Sequence, residues 1–154
     1  EKIYIRDLAD LIGMNEQYFC RFFKKVIGRS PMEYVNEYRI KKAIHYLKEG
    51  QKFQKANDIA KAEESYKKVT TLSGKKWKTD ALYSLGVLFY NNGATVLKKA
   101  APLANSDADK YATEKAAADA DFKKAADYLQ EAATLSPERA EIKKMLTQVQ
   151  ESLN

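Results

Sequence analysis

The chain has 154 residues, 45% of them apolar and 31% charged, and carries a net charge of +6. That mixture argues for a soluble, folded chain rather than a disordered one, and no apolar run approaches the roughly 18 residues that a membrane helix needs. One cysteine, Cys20, and one histidine, His45, exclude an internal disulfide and leave too little material for a zinc site or a Cys/His catalytic pair.

No nucleophile elbow and no phosphate-cradling glycine loop is present. An enzyme is therefore not expected, and neither are catalytic residues, a metal or a cofactor. The lone cysteine suits a reducing cytoplasm. The chain opens at Glu1 without a methionine, as a trimmed piece would. Residues 1–47 hold nine Lys/Arg against six Asp/Glu, a denser positive charge than in the rest of the chain. Within them RFFKKVIGR, Arg21 to Arg29, has four bases and no acid, a stripe of the kind that meets phosphates.

Apolar residues recur three and four apart throughout, so the expected fold class is all-α. IRDLADLIGMN puts Leu8, Ala9, Leu11 and Ile12 on one side of a first helix that stops at Gly13. Asn15 can cap a second helix whose buried stripe would be Tyr18, Phe19, Phe22, Phe23 and Val26, with Gly28 as its stop. Ser30 and Pro31 open a third, with serine as the cap and proline at the first helical position. Two short helices joined by a glycine-containing turn form a helix-turn-helix, which lays its second helix in a DNA major groove.

The run DLADLIGMNEQYFCRFFKKVIGRSPMEYVNEYRIKKA resembles the first helix-turn-helix of the AraC family of bacterial regulators, over about residues 1–46. The resemblance implies that Glu16, Gln17, Cys20 and Arg21 face the groove, with Lys24 and Lys25 near the DNA backbone. Arginine pairs with guanine and glutamine with adenine in such sites. Tyr38 and Ile40 would face the core of this subdomain. Members of that family carry a second such motif after the linker helix, and nothing after Ala43 resembles it. One recognition unit makes few phosphate contacts, so weak and salt-sensitive binding to duplex DNA is expected.

GQKFQKANDIAKAEESYKKVTTLSG instead resembles a tetratricopeptide repeat (TPR), with Gly50, Phe53, Ala62, Tyr66 and Val69 at its packing positions. A first repeat is placed at 44–74 and a second at 79–137. An alanine-rich insertion at 94–121 would lengthen both of the second repeat's helices into a projecting pair, with a disordered loop as the alternative. A capping helix would follow at 138–153. The resemblance implies a groove for a peptide or protein lined by Gln51, Gln54, Lys55, Tyr83, Val87, Tyr90 and Asn91, with packing of Tyr83 and Tyr90 against the capping helix or the long hairpin as the alternative.

Because the TPR domain, 44–154, would start inside the linker helix, the two modules are expected to share one helix from Pro31 to about Asn57. The whole reads as an engineered, non-enzymatic chimera, monomeric or weakly dimeric and without membrane contact. The alternative is a natural transcription regulator that binds DNA through one module and a protein partner through the other.

Overall fold

The computed structural model describes residues 4–72 and 74–153. Ser73, inside the first expected repeat, and the chain ends at 1–3 and 154 lie outside the described residues. The described residues contain seven α-helices and one short 3-10 helix, with no strand among them, so the all-α expectation holds. By their internal contacts the residues divide into two compact units, 1–42 and 43–154.

The first unit contains α1 (Ile5–Leu11), α2 (Glu16–Ile27) and the start of α3 (Pro31–Lys55). Its helix ends follow local chemistry. The Asn15 side chain accepts a hydrogen bond from the Tyr18 amide at 3.0 Å, satisfying one of the orphan donors at the start of α2. Gly28 ends that helix at φ 82°, a left-handed conformation that glycine adopts at little cost. At the start of α3 the Ser30 hydroxyl accepts from the Glu33 amide (3.3 Å), and the Ser30 amide donates to Glu33 Oε2 (2.7 Å). This is a reciprocal capping box, and the Glu33 half of it was not foreseen.

The core of this unit is narrower than the sequence pattern suggested. Ala9 and Phe19 are its buried apolar side chains, apart from the buried Pro31. Phe23 is half-buried, with its ring 5.6 Å from Phe19 and edge-on to Tyr34 at 5.7 Å. Tyr18, Phe22 and Val26, expected in the buried stripe, are exposed, as are Leu11, Ile12, Tyr38 and Ile40. Periodicity tells which residues share a face, but three short elements cover only the central line of that face.

The helix α3 runs unbroken through residue 50 for 25 residues, about 37 Å at 1.5 Å per residue. Its continuity agrees with the expected shared helix. It ends at Lys55, two residues early, and Asn57 then turns the chain at φ 59°.

In the second unit, α4 (Ile59–Thr70) is capped by Asp58, whose carboxylate accepts from the Lys61 amide at 3.1 Å. Tyr66 is buried over Gly50 and donates its hydroxyl to Gln54 Oε1 at 2.9 Å. Burial pushes its phenol pKa up, so the ring stays neutral.

Next come α5 (Lys75–Ala100), a 3-10 helix (Ala101–Asn105), α6 (Ala108–Leu135) and α7 (Ala140–Leu153). The Asp107 side chain caps α6 by accepting from the Lys110 amide at 3.0 Å. Thr79 meets Ser136, Gly86 meets Leu129, and Gly93 meets Ala118 and Phe122. As one helix advances its partner recedes, so α5 and α6 pack antiparallel along their length. Residues 94–121 are the far end of this pair. Leu82, Leu85, Phe89, Phe122 and Leu129 fill the seam, and Ile142 and Val149 of α7 close it.

Candidate nucleic-acid interface and repeat groove

Burial of Phe19 fixes which side of α2 turns inward. Glu16, Gln17, Arg21, Lys24 and Lys25 are all exposed, and Cys20 is a half-buried free thiol. The Arg21 Nε donates to the Gln17 carbonyl at 3.4 Å, so the guanidinium lies back along its own helix. Together they give α2 one exposed polar face with three bases. The fourth base of the RFFKKVIGR stripe is committed elsewhere, because Arg29 is ion-paired with Glu37, which also holds Lys41 at 2.8 Å. The Ser30 amide holds the Glu33 carboxyl below the ordinary carboxylate value, with smaller help from the Ser30 hydroxyl, Lys24 and Arg29.

The residues expected to line the repeat groove separate into two sets. A cleft of about 170 Å³ is lined by Gln54, Asn57, Ile59, Leu88, Asn91, Asn92 and Thr95. It adjoins, through Asn91 and Thr95, an open depression of about 680 Å³ bordered by Ala94, Lys98 and Lys99. Gln54 and Asn91 are therefore brought together.

Gln51, Lys55, Tyr83, Val87 and Tyr90 line neither space. Tyr83 lies under the Arg139 guanidinium at 5.9 Å. The Tyr90 hydroxyl accepts from Gln148 Nε2 of α7 at 2.8 Å, and its ring packs 5.6 Å from Phe122. Both tyrosines are thus used against α7 and the core.

Sequence reasoning missed Asn57, Asn92, Thr95, Lys98 and Lys99. The spacing of Asn91, Thr95 and Lys98, on one face of α5, was the available signal. Asn92 is already engaged, donating to Asp121 at 2.7 Å.

Among the described residues no group of three or more His, Cys, Asp or Glu side chains could hold a metal ion. No helix among them is long and apolar enough to cross a membrane.

Residues 8–62 match the family described as a helix-turn-helix domain, of the AraC type. The uncharacterised HTH-type transcriptional regulator YdeC of Bacillus subtilis is 36% identical over 47 residues, 30% of this chain and 16% of that one. An uncharacterised response regulatory protein of Staphylococcus epidermidis is 38% identical over 47 residues, again 30% of this chain and 19% of its own.

Among solved structures, a TPR repeats protein of Bacteroides fragilis is 71% identical with a TM-score of 0.70. That likeness covers 71% of this chain and 49% of the other. The chain therefore spans less than a fifth of the two regulators and about half of the TPR protein. It combines an AraC-type helix-turn-helix domain with a TPR-like helical repeat fold.

Proposed function

We propose that the chain is an engineered, non-enzymatic chimera in which a DNA-binding half-domain and a TPR scaffold are joined through α3, without an evolved function of its own. One observation carries this reading. Two likenesses of unequal depth, 36–38% to regulators of Bacillus and Staphylococcus and 71% to a protein of Bacteroides, occur in a chain whose two compact units are joined within one unbroken helix. A chain assembled from parts of different origin is expected to show such a split at the joint. On this reading residues 1–46 and 44–154 are the parts, and Ala43 to Tyr46 serve both.

The residual activity is weak binding of duplex DNA by Gln17, Arg21, Lys24 and Lys25, through charge more than base contacts. Three bases on phosphates give a slope near −3 in log K against log salt, or about fiftyfold weaker binding between 50 and 200 mM. The alternative is a natural regulator that also engages a protein through its repeats. It is favoured by the unobstructed polar face of α2.

Fluorescence anisotropy on the whole chain with several duplexes at both salts separates the two. Uniform weak binding, lost at the higher salt and reduced only modestly by Arg21→Ala, supports the chimera. Binding that prefers one duplex, survives the higher salt and is abolished by Arg21→Ala establishes the regulator instead.

A further inference from the structure

Lysines on α4 and on α3 are used differently within the second unit. On α4 each has an acid one turn away: Lys61 pairs with Asp58 at 2.8 Å, Lys67 with Glu63 at 2.6 Å and Lys68 with Glu64 at 2.8 Å. Such alternation of sign is what a merely solvated helix face carries. On α3 the exposed Lys48, Lys52 and Lys55 form no ion pair with any described residue.

These three follow one another at intervals of four and three residues, the spacing that stacks side chains on one helix face. At ~100° per residue they lie about 140–160° round α3 from Gly50, which packs on Tyr66. They therefore occupy the side turned away from the repeat. Glu49 stands about 60–120° round from them, with His45 at 3.4 Å and the Lys68 charge also facing it. The stripe carries three like charges and no acid over about 10 Å.

We infer that Lys48, Lys52 and Lys55 form a further phosphate-binding surface, in the repeat unit rather than on α2, that takes the backbone of duplex DNA. About 10 Å along a duplex presents roughly three phosphates of one strand, one for each lysine. Lysines hold phosphate as point charges and read no bases. A protein partner fits less well, since stable interfaces draw on buried aromatic and arginine anchors, and no Phe, Tyr, Trp or Arg shares the stripe. A membrane surface fits less well too. The apolar side that an interfacial helix inserts is here packed into the repeat, through Ala43, Leu47 and Phe53. This surface is additional to the α2 face and does not depend on it.

Fluorescence anisotropy of the full chain with a labelled duplex, in an Arg21→Ala, Lys24→Ala, Lys25→Ala background, reads this surface without α2. The expected result is residual binding that weakens about fiftyfold between 50 and 200 mM salt, as three phosphate contacts require. Adding Lys48→Gln, Lys52→Gln and Lys55→Gln should weaken it at least tenfold at the lower salt. The far-UV circular dichroism should not change, since glutamine and lysine are similar helix formers. The same loss of charge at the ion-paired Lys67, Lys68 and Lys78, each to glutamine, should alter affinity no more than about twofold. No binding in the first background, or an equal loss from both sets of lysines, overturns the proposal. So does a preference of the stripe for vesicles of phosphatidylserine and phosphatidylcholine over the duplex. Absence of binding in the first background leaves the activity of α2 intact, so the two surfaces fail separately.

Discussion

The ring of Tyr66 occupies the space that a side chain on Gly50 would need: a Cβ at residue 50 would stand 2.4 Å from Cε1 of the ring. Glycine in a helix interior costs about 1 kcal/mol relative to alanine, so on propensity alone Gly50→Ala should stabilise α3. Packing reverses the sign. Tyr66 is buried and its hydroxyl is held by Gln54, so the ring cannot swing aside without losing both. Gly50→Ala is expected to destabilise the protein by about 1–3 kcal/mol in urea denaturation. The penalty should shrink when Tyr66 is also replaced by leucine, since the two changes share one space. A more stable Gly50→Ala variant would mean that the two helices are free to separate.

Arg139 is the principal polar tie between the start of α7 and α5. Its Nη1 donates to Asp80 Oδ1 at 2.5 Å and its Nε to Glu141 Oε1 at 2.7 Å, and the guanidinium lies over the Tyr83 ring. The Asp80 pair is partly buried, so its coupling should exceed that of an open surface pair. A double-mutant cycle of Arg139→Ala and Asp80→Ala is expected to give about 1–2 kcal/mol. The same cycle on the exposed Lys68–Glu64 pair should give a clearly smaller coupling. Equal values for the two would mean that α7 is held mainly by its apolar contacts, Ile142 and Val149 foremost.

Punctuation was the most legible part of the sequence. Asn15, Gly28, Ser30 and Pro31 act where their side chains or backbone preferences direct, because caps depend on neighbours within three or four residues. The Gly50 contact was foreseen because only a close helix tolerates glycine there. Burial was less legible. Tyr18, Phe22 and Val26 satisfy a helical period, yet the first unit leaves all three exposed. A residue's pattern does not report how much partner surface exists. In the repeat groove the packing alternative for Tyr83 and Tyr90 against the capping helix was open from the sequence, but not the partners, Arg139 and Gln148, that engage them. Such engagements join residues 56 and 58 positions apart, a distance that local reasoning does not span.

Two helix starts are expected to weaken in acid. The Ser30 amide holds the Glu33 carboxyl below its ordinary 4.5, and Lys61 holds the Asp58 carboxyl below its ordinary 3.8. A depressed folded-state pKa means that the unfolded chain binds protons more readily. The stabilisation is therefore complete above the ordinary values and is lost as pH falls through the lower, folded ones. Both groups are at the surface, so the effect should be small. Circular dichroism melts between pH 7 and 2.5 should show a shallower acid decline for Glu33→Gln than for the native chain. Parallel declines in the two would show that the Glu33 charge contributes nothing to the capping box.

The two units should differ in stability, because they differ so much in what they bury. Phe19 is the largest buried side chain of the first unit, whereas the second has a continuous core from Ala62 to Val149. Truncating a buried phenylalanine costs about 3–5 kcal/mol, and a single core in a unit of this size seldom supplies more than about 3–5 kcal/mol in total. Phe19→Ala should therefore remove the first unit's fold without lowering the second's. Hydrogen exchange is the appropriate measure, since a shared helix blurs a thermal transition. In the native chain the amides of α1 and α2 should exchange faster than those of α5 and α6. In Phe19→Ala they should lose protection altogether while α4 to α7 keep theirs. A uniform loss of protection along the chain would mean that the units fold as one, and that the small core of the first is borrowed from the second.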